Sequence, residues 1–138
     1  MMIRVYQTKR NIMIIRKGDE ELDTQKVHKR VDVWWGRERE NAGLSLTLGY
    51  MLQNSPKLAG AELHLNSIVT SVDEAPVALK SMEEFIKNGR FDAKANVYVT
   101  EPDRSMIFDK IRSVSQDAVL VFMGIEPPKL DKFVEDKQ

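Results

Sequence analysis

The chain contains no cysteine among its 138 residues. That absence excludes disulfide bonds, thiolate nucleophiles and zinc sites with cysteine ligands, and it is typical of proteins from reducing compartments. Histidine is nearly as scarce, since only His28 and His64 are present. A metal site built on either histidine would need further ligands that the sequence does not place beside it. The sequence therefore predicts no metal and no cofactor.

An excess of either charge and a long apolar run are also missing. Lys and Arg total 21, Asp and Glu total 21, and the net charge is zero. Nucleic-acid binding draws on a basic excess, so we expect no nucleic-acid partner. The most apolar run, from Ala118 to Ile125, is far shorter than the roughly 20 residues of a spanning helix. We expect a soluble segment that does not insert into a membrane.

Motifs that mark common enzymes and nucleotide-binding proteins are absent as well. The sequence has neither Gly-x-Gly-x-x-Gly nor a Gly-Lys-Ser/Thr ending, and no nucleophile with a base at a recognisable spacing. It therefore predicts no enzyme and no catalytic residues. Length and a hydrophobic content of 42% predict one globular domain over residues 11–128. Residues 1–10 are predicted as an extension, and residues 129–138 as a charged tail.

The spacing of apolar residues predicts alternating strands and helices. In the first helix, Leu44, Leu48, Met51 and Leu52 are expected to form the buried face, which Leu46 and Tyr50 widen, with Asn41 as N-cap. The last strand is apolar at every position, as in a central strand covered on both sides. The predicted order is strand 11–15, strand 31–35, helix 42–53, strand 61–69, helix 73–87, strand 94–99, helix 103–115 and strand 118–123.

This order predicts a three-layer α/β fold with a mostly parallel sheet of about five strands and helices on both faces. The expected spatial order is 94–99, 61–69, 31–35, 118–123, with the N-terminal strand 11–15 antiparallel at the far edge. The order reverses between strands 31–35 and 118–123. In open α/β sheets the crevice at such a reversal is the usual ligand position.

Four residues at that crevice are the candidate ligand-binding residues. Gly36 and Gly124 follow the two strands, and Arg37 and Asn41 lie between Gly36 and the first helix. Free backbone N–H groups and a helix N-terminus favour an anion at such a place. The alternative is a solvated loop in which Gly36 only turns the chain, because Glu38 and Glu40 offset the arginine charges.

Other conspicuous residues have structural interpretations. Asp32 lies inside a buried strand, where a carboxylate must be paired, and we expect Lys29 or Arg30 at the beginning of the strand to supply the partner. Trp34 and Trp35 point to opposite faces of a strand, so we expect one to pack under each helix layer. This core packing is favoured over the alternative, an aromatic platform for a ligand. The histidines are expected to be structural or exposed: His64 shares a strand face with Glu62 and Asn66, and His28 lies among basic residues.

Four segments together resemble a known family. They are Val-Asp-Val-Trp-Trp (31–35), Gly-Leu-Ser-Leu-Thr-Leu-Gly-Tyr-Met-Leu (43–52), Ala-Glu-Leu-His-Leu-Asn-Ser-Ile-Val (61–69) and Val-Leu-Val-Phe-Met-Gly-Ile-Glu-Pro-Pro (119–128). They are similar to the cytosolic C-terminal domain of cation-chloride cotransporters and related prokaryotic amino-acid permeases. The double tryptophan before a leucine-rich helix is the most specific part, and the similarity spans most of residues 11–128.

The resemblance implies a non-catalytic regulatory domain on the cytoplasmic side of the cell membrane, attached to the transmembrane part of its own transporter. Such domains form homodimers, and their fold is similar to that of universal stress proteins. The charged loop 37–40 departs from the shorter glycine-rich turn of the family. A universal-stress-type nucleotide-binding module is the alternative function, although Pro127 and Pro128 lack the N–H groups that a phosphate would need after the last strand.

Overall fold

The computed structural model describes residues 29–36 and 40–124, which form a single sheet with helices packed against it. The predicted segments 1–10, 11–15 and 129–138, together with His28, lie outside the described residues. Strands and helices alternate along the chain. The elements are β1 (Arg30–Trp35), α1 (Glu40–Gln53), β2 (Glu62–Val69), α2 (Glu74–Gly89), β3 (Ala93–Val99), α3 (Arg104–Val114), a 3-10 turn (Ser115–Asp117) and β4 (Leu120–Met123).

The sheet is parallel throughout its described strands and has the order β3-β2-β1-β4. The predicted three-layer α/β fold and the predicted strand order are confirmed. Two details differ: the described sheet has four strands instead of about five, and both of its edge strands are parallel to their neighbours. The antiparallel edge strand was predicted for residues 11–15, outside the described residues.

The two faces of the sheet bury different kinds of side chain, because successive residues of a strand point to opposite sides. On the core face, α1 and α2 cover the alternating apolar residues of β1 and β2. Trp35 lies on this face with its ring edge against Phe85 of α2, at 4.9 Å between ring centroids. The largest fully buried apolar side chains of the core are Val31, Val33, Leu46, Leu63, Leu65 and Met82.

The opposite face, here called the α3 face, carries Trp34 and mostly polar residues. The indole Nε1 of Trp34 donates to Ser115 Oγ at 2.9 Å, immediately after α3. Tyr98 of β3 lies 6.0 Å from the Trp34 ring, and Lys110 of α3 lies over the Tyr98 ring. The prediction that each tryptophan packs under a different helix layer is confirmed.

The face by which α1 packs differs from the prediction. Leu46 is fully buried, whereas Leu44 and Met51, predicted as part of the buried stripe, are 50% and 63% exposed. Gly49 determines which face of α1 packs on the sheet, because a Cβ added to it would lie 2.7 Å from Leu63 Cδ1. The backbone of α1 thus approaches β2 through its glycine. The helix also begins at Glu40, so Asn41 lies in its first turn and is not the N-cap.

The last strand lies at an edge of the described sheet, and the strand predicted beyond it, 11–15, lies outside the described residues. It pairs with β1 alone among the described strands, and Val121 and Met123 on its α3 face are 37% and 46% exposed. An apolar sequence marks a strand without telling which of its faces is covered. The strand therefore supports the sheet order but not the predicted two-sided burial.

Two helix ends are set by single residues. Asp103 caps α3, since its Oδ1 accepts hydrogen bonds from the backbone N–H groups of Ser105 and Met106. At the end of α2 the left-handed residue is Arg90, with φ of 55°. The preceding residue, Gly89, has no room for a side chain, because a Cβ there would clash with the ring of Phe91.

Candidate functional site

The predicted ligand crevice lies where the strand order reverses, at the carboxyl ends of β1 and β4. Trp34 pairs with Met123, so Gly36 and Gly124 both follow at this edge of the sheet. Both glycines are exposed, and a Cβ added to either would meet nothing within 4 Å. Neither position therefore requires glycine for a close approach.

The remaining predicted residues add little to this crevice. Asn41 is exposed in the first turn of α1, and Arg37 lies outside the described residues. A cleft of about 290 Å³ occurs at the opposite, amino-terminal ends of β2 and β3, beside Glu62 and Lys94. The crevice at Gly36 and Gly124 stays a prediction.

The α3 face holds a denser arrangement of polar side chains, which begins with Asp32. This carboxylate is 1% exposed. The guanidinium of Arg30 donates to it through Nε at 2.9 Å and through a terminal nitrogen at 3.2 Å. The sequence interpretation of Asp32 as a carboxylate paired with a basic residue at the beginning of its strand is confirmed.

Ser115 extends this arrangement from β1 to the end of α3. Its hydroxyl donates to Asp32 at 2.7 Å and accepts from the Trp34 indole at 2.9 Å. Arg30 also donates to the carbonyl oxygen of Val114. The four side chains Arg30, Asp32, Trp34 and Ser115, here called the Asp32 network, tie the last turn of α3 to the sheet. The Ser115 hydroxyl and the Trp34 indole each donate their hydrogen to an acceptor within the network. The network therefore has a structural role, which is to hold the end of α3 against the sheet.

A second cluster, the His64 cluster, lies on the same face across β2 and β3. His64 Nε2 lies 3.0 Å from a carboxylate oxygen of Glu62, and Lys94 Nζ lies 3.3 Å from the other oxygen. Asn96 Nδ2 lies 2.9 Å from His64 Nδ1 and 3.0 Å from Asn66 Oδ1. The parallel register brings these residues together, because it pairs His64 with Lys94 and Asn66 with Asn96.

The protonation of the His64 cluster follows from its donors and acceptors. An ionised Glu62 only accepts, so His64 Nε2 carries a proton and Nδ1 accepts from Asn96. This arrangement leaves Asn66, which is 1% exposed, with its Nδ2 unpartnered among the described residues. A buried donor without an acceptor costs about 1–3 kcal/mol. The cluster therefore contains a satisfied histidine and an unsatisfied amide.

The sequence predicts only some of the residues of the Asp32 network and of the His64 cluster. Glu62, His64 and Asn66 were expected on one strand face, and that is confirmed. Asn96 and Ser115 were missed as partners. The alternation of polar residues at 94 and 96 was a signal for Asn96, since it repeats the alternation at 62, 64 and 66. Nothing local points to Ser115, whose partners lie more than 80 positions away.

Two pKa values on this face are shifted. The hydrogen bonds from His64 and then Lys94 hold the pKa of Glu62 below its usual value of 4.5. Burial, helped by the negative charge of Asp32, raises the pKa of Tyr98 above 10.0. Tyr98 is therefore the neutral phenol over the physiological range, and Glu62 is the ionised acceptor that the His64 cluster requires.

We expect the lowered pKa of Glu62 to appear as a pH dependence of stability. A carboxylate with a lower pKa in the folded state stabilises the fold above its unfolded pKa, and this contribution is lost as pH falls through the folded pKa. Glu62→Gln should therefore lower the urea midpoint near neutral pH and converge with the wild type in strong acid. Glu83→Gln, an exposed change on α2, is the control. A Glu62→Gln difference that persists unchanged in acid would contradict the assignment.

No protein-family model and no curated protein matches this chain. The described residues contain no group of three or more acidic or histidine side chains arranged to hold a metal ion. Among the helices that the structure describes, none has the length and apolarity to cross a lipid bilayer.

Proposed function

We propose that this chain is a non-catalytic regulatory and dimerisation domain on the cytoplasmic side of a membrane transporter, of the cation-chloride cotransporter or amino-acid permease type. The family resemblance supports this proposal, and its specific segments correspond to central elements of the fold. Segment 31–35 lies in β1, segment 43–52 lies within α1, and segment 61–69 contains β2. The double tryptophan is part of the central packing and not of a surface loop.

The single observation that carries the dimerisation part is the apolar character of α1 on both sides. Leu46 packs into the core, while Leu44, Met51 and Tyr50 are exposed on the same helix. A helix that is hydrophobic all round is typical of one buried on both sides. The outer stripe of Leu44, Leu48 and Met51, here called the α1 stripe, recurs at the spacing of one helix face and is the surface we assign to a second copy of this chain.

The non-catalytic part rests on how the reactive side chains are used. Ser115 donates to the Asp32 carboxylate, but its oxygen also accepts from Trp34, and both bonds connect the end of α3 to the sheet. His64 has both ring nitrogens in hydrogen bonds, to Glu62 and Asn96. A general base needs a ring nitrogen that faces its substrate. These groups therefore serve the structure.

We expect the double substitution Leu44→Glu with Met51→Glu to weaken self-association at least about tenfold, or about 1.4 kcal/mol. Burying two carboxylates in an apolar interface is unfavourable, whereas in the monomer both positions face solvent. Sedimentation equilibrium at micromolar concentration measures the dimer constant, and circular dichroism checks the fold. Val77→Glu is the matched control, because Val77 is 68% exposed on α2. A wild-type chain that stays monomeric, or equal effects at all sites, would contradict the proposal.

The transporter part of the proposal has a separate test in the gene. The reading frame that encodes this chain should also encode about twelve apolar segments of roughly 20 residues each. Deletion of the segment corresponding to residues 30–124 should then alter transport activity or its regulation while leaving the membrane part inserted. A frame that encodes no such segments would remove the transporter assignment and leave the dimerisation assignment standing.

A nucleotide-binding module of the universal-stress type is the alternative, favoured by one observation. The sheet reverses its order between β1 and β4, which is where such folds hold ligands. Gly36 and Gly124 are exposed at this edge, and the space around both is open, since a Cβ added to either would meet nothing within 4 Å. Calorimetric titration with ATP discriminates the two functions: saturable micromolar binding favours the alternative, and its absence favours the regulatory domain.

A further inference from the structure

Asn66 and Asn96 form a chain of amides that ends on His64, and one atom of this chain lacks a partner. Asn96 Nδ2 donates to His64 Nδ1 and to Asn66 Oδ1, which uses both of its hydrogens. The buried Nδ2 of Asn66 has no acceptor within the described part of the chain. Among backbone amides, buried N–H donors without partners are rarer than buried carbonyl oxygens without partners, and the same amide chemistry applies to asparagine. The arrangement with neutral His64 therefore leaves the less tolerated kind of atom unsatisfied.

A second hydrogen-bond pattern fits the same atomic positions. Rotating both amides by half a turn exchanges their oxygen and nitrogen atoms and places Asn96 Oδ1 beside His64 Nδ1. Asn66 Nδ2 then donates to Asn96 Oδ1, whose second lone pair accepts from a protonated His64 Nδ1. His64 Nε2 keeps its proton on Glu62. One added proton converts the first pattern into the second, and the unsatisfied atom becomes an oxygen.

We propose that the His64 cluster is a proton-linked switch, in which protonation of His64 turns the Asn96 and Asn66 amides together. This proposal is independent of the transporter assignment. It places the site beneath the region where Trp34 and Tyr98 meet, because Asn66 is in register with both Trp34 and Asn96. A proton taken up at the exposed side of the cluster thus reverses the amide dipoles under the α3 face.

The charges around His64 permit this uptake. On β1, its register partner Asp32 is already paired with Arg30, and on β3 its register partner Lys94 is paired with Glu62. Glu62 lies closest to the imidazole and is the counter-ion of the charged form. From α3, Lys110 lies over the ring of Tyr98, which is on the same strand as Asn96. The titratable and charged groups on the α3 face around the His64 cluster are Arg30, Asp32, Glu62, Lys94, Tyr98 and Lys110.

Nitrogen-15 NMR of the full chain tests the switch, in a His28→Gln background that leaves His64 as the single histidine. At mildly alkaline pH we expect His64 as the Nε2–H tautomer. As pH falls, the side-chain amide signals of Asn96 and Asn66 should move with the same midpoint as the imidazole. The Nδ1–H tautomer at alkaline pH, amide signals that do not follow the imidazole, or a His64 that stays neutral until the chain unfolds would each overturn the proposal.

Asn66→Leu provides a second test, because Asn66 has no hydrogen bond to His64. Removing the amide abolishes the unsatisfied donor that disfavours the neutral state, so His64 should bind its second proton at least about threefold more weakly. Asn88→Leu, an exposed change at the end of α2, is the control. An unchanged proton affinity in Asn66→Leu would overturn the coupling, and the wild-type titration decides the matter if this variant does not fold.

Discussion

Leu46→Ala is expected to lower the free energy of unfolding by about 3 kcal/mol, the usual range for truncating a fully buried leucine being roughly 2–5 kcal/mol. The Leu46 side chain is 0% exposed and belongs to the core between α1 and the sheet. Its removal leaves a cavity against β1 and β2, which Gly49 cannot fill. Equilibrium urea denaturation, followed by tryptophan fluorescence, measures the change directly.

Leu44→Ala is the matched control, since it makes the same truncation two positions earlier in the same helix. Leu44 is half exposed, so we expect a change within about 0.5 kcal/mol for the monomer. The pair therefore measures which face of α1 packs on the sheet. If Leu44→Ala were the more destabilising of the two at concentrations where the chain is monomeric, the orientation of α1 described above would be wrong.

The same helix explains why the fold was more predictable than its packing. Helices, strands and their order follow from periodicity and from the handedness of parallel crossovers, and these rules act locally or through topology alone. The rotation of α1 depends on Gly49 meeting Leu63, a contact between two elements. Because apolar residues occur all around α1, its sequence has no single apolar stripe from which that rotation could be read.

The polar clusters of the α3 face likewise combine relations that local spacing predicts with contacts between elements that it does not predict. Alternation along β2 placed Glu62, His64 and Asn66 together, because that relation lies within one strand. Asn96 joins them through the register between β2 and β3, and Ser115 joins Asp32 through the return of α3 across the sheet. Neither the register nor the position of a helix end can be obtained from local spacing. The hydrogen bonds that complete each cluster therefore appear only in the folded chain.

Asp32→Ala is the second substitution for which we expect a large effect, a loss of about 3 kcal/mol in the free energy of unfolding. It removes the acceptor of two Arg30 hydrogen bonds and of the Ser115 hydroxyl. The Arg30 side chain is 29% exposed and regains part of its hydration, which keeps the expected loss at the lower end for a broken buried pair. Glu62→Ala, which breaks the exposed pair with Lys94, should have a much smaller effect, because exposed ion pairs contribute little to stability.

A double-mutant cycle of Asp32→Ala with Ser115→Ala separates the contribution of the Ser115–Asp32 hydrogen bond from that of the Arg30–Asp32 ion pair. Ser115→Ala alone leaves the Trp34 indole without its acceptor, so we expect a loss of about 1–2 kcal/mol. Because Asp32 and Ser115 share a hydrogen bond, the two losses should be non-additive by about 0.5 kcal/mol or more. A carboxylate kept for ligand binding at the expense of stability would behave differently, and its replacement by Ala or Asn would leave the fold as stable or more so. That result would turn Asp32 from a structural residue into a candidate functional one.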